Sequence, residues 1–254
     1  MEKRTFGGEE HAFRRGLAGA WPGEVPLFSF EELGSTSTHA RSMLESGSEP
    51  PFAVLAKHQT EGRGRRGKGF FSPEGGVYCT LALTSPAAEE TGLVTLLAAA
   101  SVHAAIFSVC GRETGIKWVN DLYYEGKKVC GILSERLPGG ILIGFGIDLV
   151  PREYPEELAG IAGDLGCPDT DPAMLAGACV GEVLRRAASL PEHGFLEEYR
   201  KSCFLPGREI TFTENGTQIR AEAIGIEDTG GLRVRLGDGT ERALLSGEIS
   251  VRLL

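Results

Sequence analysis

Residues 57–72 read K-H-Q-T-E-G-R-G-R-R-G-K-G-F-F-S, and Pro73 follows. Gly62, Gly64, Gly67 and Gly69 alternate there with Arg63, Arg65, Arg66 and Lys68. Glycine lets the backbone reach positive φ and lets a ligand approach bare N–H groups. Successive N–H groups form anion-binding concavities, and arginine adds forked, bidentate donors. The whole chain has 26 Lys and Arg against 35 Asp and Glu, a formal charge of −9. The positive charge is therefore local, and a phosphate is the anion that suits it. A flexible, solvated surface loop is the alternative that the stretch alone leaves open.

Two phosphate-loop templates almost fit. Gly62-Arg63-Gly64-Arg65-Arg66-Gly67 has the G-x-G-x-x-G spelling, but that fingerprint needs a helix directly after it. Gly69, Pro73, Gly75 and Gly76 follow instead. Gly62 to Lys68 also begins G-x-x-x-x-G-K-[ST], yet Gly69 stands where the metal-binding hydroxyl belongs.

The elements that must hold this loop can be read from pattern. Residues 1–24 are polar and glycine-rich, with either a short helix over His11–Ala20 or partial disorder. Pro26–Leu33 reads as a strand. Ser35-Thr36-Ser37-Thr38 offers N-cap hydroxyls to a helix through Ala40, Met43 and Leu44 that Gly47 stops. Phe52–Ala56 is a strand entering the loop, and Val77–Leu83 a strand leaving it. Leu93–Cys110 has apolar residues at helical spacing. Residues 116–149 read as a meander: strand, corner at Asn120-Asp121, strand, turn at Glu125-Gly126, strand to Glu135, turn at Gly139-Gly140, strand to Leu149. Asp171-Pro172 opens a helix to about Ser189, and a second runs over Phe195–Cys203. After Pro206-Gly207, five short strands separated by Asn215-Gly216, Thr229-Gly230-Gly231 and Gly237-Asp238-Gly239 predict a small barrel. Leu232, Val234 and Leu236, like Ile249, Val251 and Leu253, alternate as one buried face does.

At 254 residues and 41% hydrophobic content the chain has the composition of a globular protein. It lacks an apolar run long enough to span a membrane and an N-terminal signal-peptide core, so a cytoplasmic protein is expected. Six scattered cysteines without a C-x-x-C pair read as reduced and mostly buried. Net acidity argues against general nucleic-acid binding.

With these regions placed, residues 27–254 resemble the biotin protein ligases. The family's basic loop corresponds to Gly62–Lys68 with Ser72-Pro73 and Gly76-Val77-Tyr78. Its lysine-tryptophan motif corresponds to Lys117-Trp118-Val119-Asn120-Asp121. Its G-K-K segment corresponds to Gly126-Lys127-Lys128-Val129-Cys130-Gly131-Ile132-Leu133-Ser134-Glu135, and its C-terminal motif to Gly247-Glu248-Ile249-Ser250.

The resemblance implies an α+β fold: a central mixed sheet with flanking helices, like class II synthetases, plus a C-terminal SH3-like barrel. It implies an N-terminal extension (1–24), a catalytic domain (25–204) and a barrel (205–254), with no room for an N-terminal DNA-binding domain. The implied reaction joins biotin to ATP as biotinyl-5′-adenylate, with Mg2+, then passes biotin to a lysine of a biotin carboxyl carrier protein. Lys128 and Arg63 are the implied catalytic residues. Ser35, Thr36, Ser37, Gln59, Gly62, Arg63, Lys128 and Gly131 would meet biotin. Arg63, Arg65, Arg66, Gly67, Phe70, Lys117, Asn120 and Asp148 would meet ATP or the adenylate, and Asp121 would meet Mg2+. Family members often form homodimers, and the residues leave that open here.

Four positions depart from the family pattern: Ser37 for Asn, Phe70 or Phe71 for a stacking Trp, Val119 for Pro, and Asp148 for the Asn of Gly-Ile-Asn. Ser35 and Thr36 also suit plain helix caps, Asn120-Asp121 a plain turn, and Trp118 a core position. Lipoyl or octanoyl transferases share the fold, and a biotin-binding pseudoenzyme or a biotin-sensing regulator are further alternatives.

Overall fold

The structure, a computed structural model, describes residues 8–85, 92–214, 216–245 and 251–253. Two sheets organise it. The first has seven strands: β1 (Leu27–Leu33), β2 (Phe52–Gln59), β3 (Gly76–Leu83), β4 (Gly115–Lys117), β5 (Asp121–Tyr124), β6 (Lys127–Leu137) and β7 (Gly140–Asp148). Their order is β1-β2-β3-β7-β6-β5-β4. β1 and β2 run parallel, joined by helix α2 (Thr36–Glu45), and every other neighbour is antiparallel. The expected mixed sheet is present.

β5 and β6 meet at Glu125-Gly126, with φ of 49° and 78°. Two consecutive left-handed residues make a tight hairpin whose twist matches its strands. β6 and β7 then pair along eight positions, Cys130↔Ile147 to Leu137↔Gly140.

Along β3 and β7 side chains alternate between faces. Val77, Cys79, Leu81, Ile143, Phe145 and Ile147 enter the main core, with helices α3 (Val94–Cys110), α4 (Pro172–Ala187) and α5 (Phe195–Ser202). The opposite face carries a smaller cluster in which Ala40 and Leu44 of α2 meet Val54, Ala56, Ala82 and Leu142. Asp171 caps α4 as its sequence suggests, accepting from Ala173 N at 2.9 Å.

From Gly8 onward the N-terminal segment is more ordered than its polar composition suggests. Helix α1 (Gly8–Ala18) buries Phe13 and Leu17 against α4. Burying such side chains contributes about 1.5–3 kcal/mol each. Glycines permit the approach: a Cβ on Gly16 would lie 2.0 Å from Met174 O, and one on Gly177 2.0 Å from Phe13 O.

The expectation that hydroxyls cap α2 needs correction. Ser35 stands at the N-cap, but its side chain makes no cap bond. The Thr36 N–H instead donates to Gln59 Oε1 of β2 at 2.8 Å. An amide oxygen brought by tertiary packing satisfies the orphan donor.

The second sheet contains β8 (Glu209–Glu214), β9 (Thr217–Ile226), β10 (Leu232–Leu236), β11 (Glu241–Leu244) and β12 (Val251–Leu253), in the order β11-β10-β9-β8-β12. Leu232 and Val234 are buried and alternate with exposed Arg233 and Arg235. This antiparallel sheet is that of a small SH3-like barrel, although among the described residues no pairing joins β11 to β12. Asn215, Ile249 and Gly247-Glu248-Ile249-Ser250 lie outside the described residues. The turn at Gly230 docks on the first sheet's body, where its carbonyl accepts from Trp118 Nε1 at 3.0 Å.

Candidate active site

The face of the first sheet beside α2 has a floor without side chains. Gly131 of β6 and Gly144 and Gly146 of β7 are responsible. A Cβ on Gly146 would stand 2.4 Å from Phe70 Cε1, and one on Gly131 3.0 Å from Phe70 Cε2 and 3.3 Å from Lys128 Nζ. A Cβ on Gly144 would stand 2.7 Å from Ser37 Oγ. Any other residue would displace the groups lying on this floor.

The basic stretch arches over it. The base is zipped by Gln59 N to Ser72 O (3.0 Å), Phe70 N to Gly62 O (2.8 Å) and Gly64 N to Lys68 O (2.8 Å). Gly62 is required at the neck, because a Cβ there would meet Phe70 O at 2.3 Å. At the tip, Arg65–Gly67 makes one 3-10 turn, with Arg66 at φ 60° and Gly67 at φ 70°. No helix follows the glycines: the next element is β3, as the run of Gly and Pro predicts.

At the end of the floor nearest α2, hydroxyls and one amide form a closed network. Thr36 Oγ1 lies 3.1 Å from Gln59 Oε1 and 2.9 Å from Thr80 Oγ1. Ser37 Oγ lies 3.1 Å from the same Thr80 hydroxyl, and Gln59 Nε2 donates to Ser72 Oγ at 2.9 Å. Ser35, Thr36 and Ser37 are all buried. Such a network offers both donors and acceptors. Ser72, which closes the basic-loop motif, and Thr80, which no local sequence signal marks, both belong to it.

In the middle, Lys128 Nζ pairs with Asp121 Oδ1 at 2.7 Å. The β5–β6 register places Asp121 opposite Gly131, so this pair borders the floor. Arg65 comes down from the loop and donates to Asn120 Oδ1 at 3.2 Å. Burial lowers its guanidinium below the ordinary arginine value, against the raising pull of Asp121. Asn120 is itself fixed, donating through Nδ2 to Ile132 O at 2.7 Å. Arg63 reaches outward to Glu135, which Arg41 also holds at 3.0 Å. Arg66 and Gly67 are exposed at the tip. Lys117 sits on the edge strand, with Nζ 5.6 Å from the centre of the Tyr123 ring. Trp118 is in the main core, away from this face.

At the far end stands Asp148, 6% exposed. Its Oδ1 is 3.8 Å from Arg152 Nη1, beyond hydrogen-bond reach, and has no hydrogen-bond partner. Burial pushes this carboxyl up to about 7; Arg152 and Lys128 pull it down and Asp164 adds to the rise. Arg152 donates through Nη1 to Tyr78 Oη (3.2 Å) and Pro73 O (3.3 Å), while its Nη2 is buried without a partner. Arg152 has no motif to mark it in the sequence. Phe71, the other candidate aromatic, points away and is 37% exposed beside Tyr154.

The fold and site define a class, an enzyme core in which a basic hairpin collects anions above a glycine floor with a lysine at its centre. The sequence model of the biotin/lipoate A/B protein ligase family matches residues 30–148, and that of the biotin protein ligase C-terminal domain matches residues 207–252. The bifunctional ligase/repressor BirA of Bacillus subtilis is 32% identical over 234 residues, covering 85% of this chain and 71% of its own length. The biotin--[acetyl-CoA-carboxylase] ligase of Mycobacterium tuberculosis is 27% identical over 241 residues, covering 91% and 87%. The solved biotin protein ligase from Aquifex aeolicus in complex with biotin and ATP superposes with a TM-score of 0.75 at 26% identity, covering 90% of this chain and 99% of that one. The chain belongs to the biotin/lipoate A/B protein ligase family, on its biotin protein ligase branch.

Proposed function

We propose that this chain condenses biotin with ATP to biotinyl-5′-adenylate and then transfers biotin to a lysine of a biotin carboxyl carrier protein. One observation carries the assignment of roles: Lys128 Nζ, the arched arginine loop and the hydroxyl–amide network converge on a single glycine floor. A urea ring needs acceptors for two N–H groups and a donor for its carbonyl. Ser35, Thr36, Ser37 and Gln59 supply both kinds at one end, Gly131 keeps a side chain off the floor where biotin lies, and Gly62 lets the loop close at its neck over that ligand.

The first step brings a carboxylate to a polyanion, so fixed cations and N–H donors lower its barrier. Lys128 is a point charge on a flexible stem, suited to follow charge as it moves from carboxylate to phosphate. Arg63, Arg65, Arg66, Lys117 and the Gly67 amide wrap the phosphates. Phe70 lies against the adenylate, and its arch keeps water from the mixed anhydride. Asn120 and Asp121 suit Mg2+: one carboxylate and one amide oxygen beside substrate phosphates is a donor set this ion takes. When bound, that ion neutralises phosphate charge. Asp148 and Arg152 face the base.

Residues 25–204 form the catalytic unit, with 1–24 an extension docked on it through α1 and 205–254 the small sheet. No helix among the described residues is long and apolar enough to cross a membrane, and we assign the chain to the cytoplasm.

The test mixes the purified chain with biotin, ATP, Mg2+ and a biotin carrier domain, and reads pyrophosphate release and the carrier's mass. Both signals are expected. Release of no pyrophosphate would mark a pseudoenzyme. In a parallel reaction with lipoate in place of biotin, modification of the carrier there and none with biotin would mark the transferase alternative.

A further inference from the structure

We propose that Glu135 is a positioning residue for adenylate formation: it orients Arg63 and, through Arg63, holds the arch down on the sheet. The inference rests on the reaction assigned above. Strand alternation puts Glu135 on the same face of β6 as Gly131. Its partner across the ladder, Leu142 of β7, belongs to the small cluster beneath α2. Glu135 therefore stands on the floor side of the sheet, at the end nearest α2.

Its carboxylate has one firm partner and one looser partner. Arg41 of α2 donates to Oε1 at 3.0 Å, and Arg63 Nη2 stands 3.5 Å from the same oxygen. The Glu135 and Arg41 side chains are 20% and 30% exposed, whereas Arg63 is 43% exposed. The shorter, more buried contact anchors the carboxylate to a helix. The longer, more exposed one reaches the loop. Glu135 Oε2 is buried and has no hydrogen-bond partner, so the carboxylate is committed to these two arginines.

Arg63 needs such a guide. Gly62 and Gly64 flank it, and glycine leaves the backbone on either side free to turn. An arginine that orders only when its anion arrives loses rotamer freedom at that moment, and this weakens binding. Pairing Nη2 with Glu135 sets the plane of the guanidinium in advance and leaves its other N–H groups for phosphate oxygens. The same pair ties the arch to α2, whose first residues carry the hydroxyl network. With a neutral side chain at 135, Arg41 and Arg63 would face each other unscreened, and their repulsion would favour an open arch.

The test uses the whole chain and Glu135→Gln, which keeps the shape and removes the charge. The first readout needs no substrate, because trypsin can cut after Arg65, Arg66 and Lys68 of the arch. In low salt the variant should be nicked about threefold faster than wild type, the scale of a part-exposed charge pair. In high salt, which screens the pair, the ratio of the two rates should fall to about one. The second readout is the off-rate of biotinyl-adenylate made in a single turnover. Glu135→Gln should raise it about threefold, and should add nothing in an Arg63→Gly background. A merely structural role would multiply the rate equally in both backgrounds. A wild type that forms no adenylate would refute the assigned reaction, and the trypsin ratio would then decide the pairing by itself. Equal nicking rates in low salt, or equal increments in the two backgrounds, would overturn the proposal.

Discussion

Replacing Asp148 with Asn tests the electrostatics of the far end of the site. The side chain is buried, its Oδ1 has no hydrogen-bond partner, and Arg152 stops 3.8 Å short. Burial raises the carboxyl from 3.8 to about 7. Between those values the unfolded chain is ionised there while the folded chain keeps its proton, so stability falls as pH rises. Above about 7 both states are ionised and the loss is complete. The interval corresponds to about 4 kcal/mol, at about 1.4 kcal/mol per pH unit. Asn is nearly isosteric and neutral, so Asp148→Asn should remove this penalty. Urea denaturation followed by circular dichroism should give nearly equal stabilities near about pH 4, and a variant more stable by about 4 kcal/mol near about pH 8. Most of the difference should develop between these limits. A gap that stays constant with pH, or a variant less stable at the alkaline end, would refute the reasoning and mean that Arg152 compensates the charge fully.

The same carboxyl carries a prediction for substrate choice. Protonated, it both donates and accepts, as an amide does; ionised, it only accepts. Asp148→Asn should therefore tighten ATP by roughly tenfold above neutral pH, worth about 1.4 kcal/mol, and sharpen ATP over GTP in competition binding. Lys128→Ala should slow single-turnover adenylate formation by at least about a hundredfold, the cost of removing one positioned charge, while the melting temperature stays near wild type. Near-normal adenylation would remove Lys128 from its assigned role. Arg63→Gly should raise the off-rate of biotinyl-adenylate and increase untargeted lysine acylation, measured on a bystander protein, because the arch loses its contact with Glu135. Gly177→Ala should destabilise: helix propensity alone favours Ala by about 1 kcal/mol, but the new Cβ meets Phe13 O at 2.0 Å, and such overpacking costs about 1–3 kcal/mol or more. A raised urea midpoint would show that α1 yields freely.

What the sequence made legible was local. The Glu125-Gly126 turn demands left-handed residues, so the hairpin that presents Lys128 could be read directly. The glycine–arginine alternation announced an anion loop because both residue types serve that purpose at close range. Contacts made across the chain were hidden. Gln59 caps a helix that begins 23 residues earlier, and no rule of local spacing connects them. Thr80 reads as an ordinary strand residue until β3 brings it under Thr36 and Ser37. Arg152 lies in an irregular segment, and only its approach to Asp148 and Tyr78 gives it meaning. The docking of α1 was obscured for a similar reason: its polar surface predicts a loose extension, and the glycines that admit it, Gly16 and Gly177, lie on two helices far apart in the chain.

The bond between the Trp118 indole and Gly230 makes the chain its own optical gauge. Only two tryptophans, Trp21 and Trp118, are present. Trp118 emits from a buried setting with its N–H tied to the C-terminal sheet, so lifting that sheet away would hydrate the ring and shift its fluorescence to longer wavelength. Trp21, just beyond α1, is only partly buried. A Trp21→Phe chain would retain one emitter, and its colour would report the seating of the C-terminal sheet beside Trp118 without an added dye.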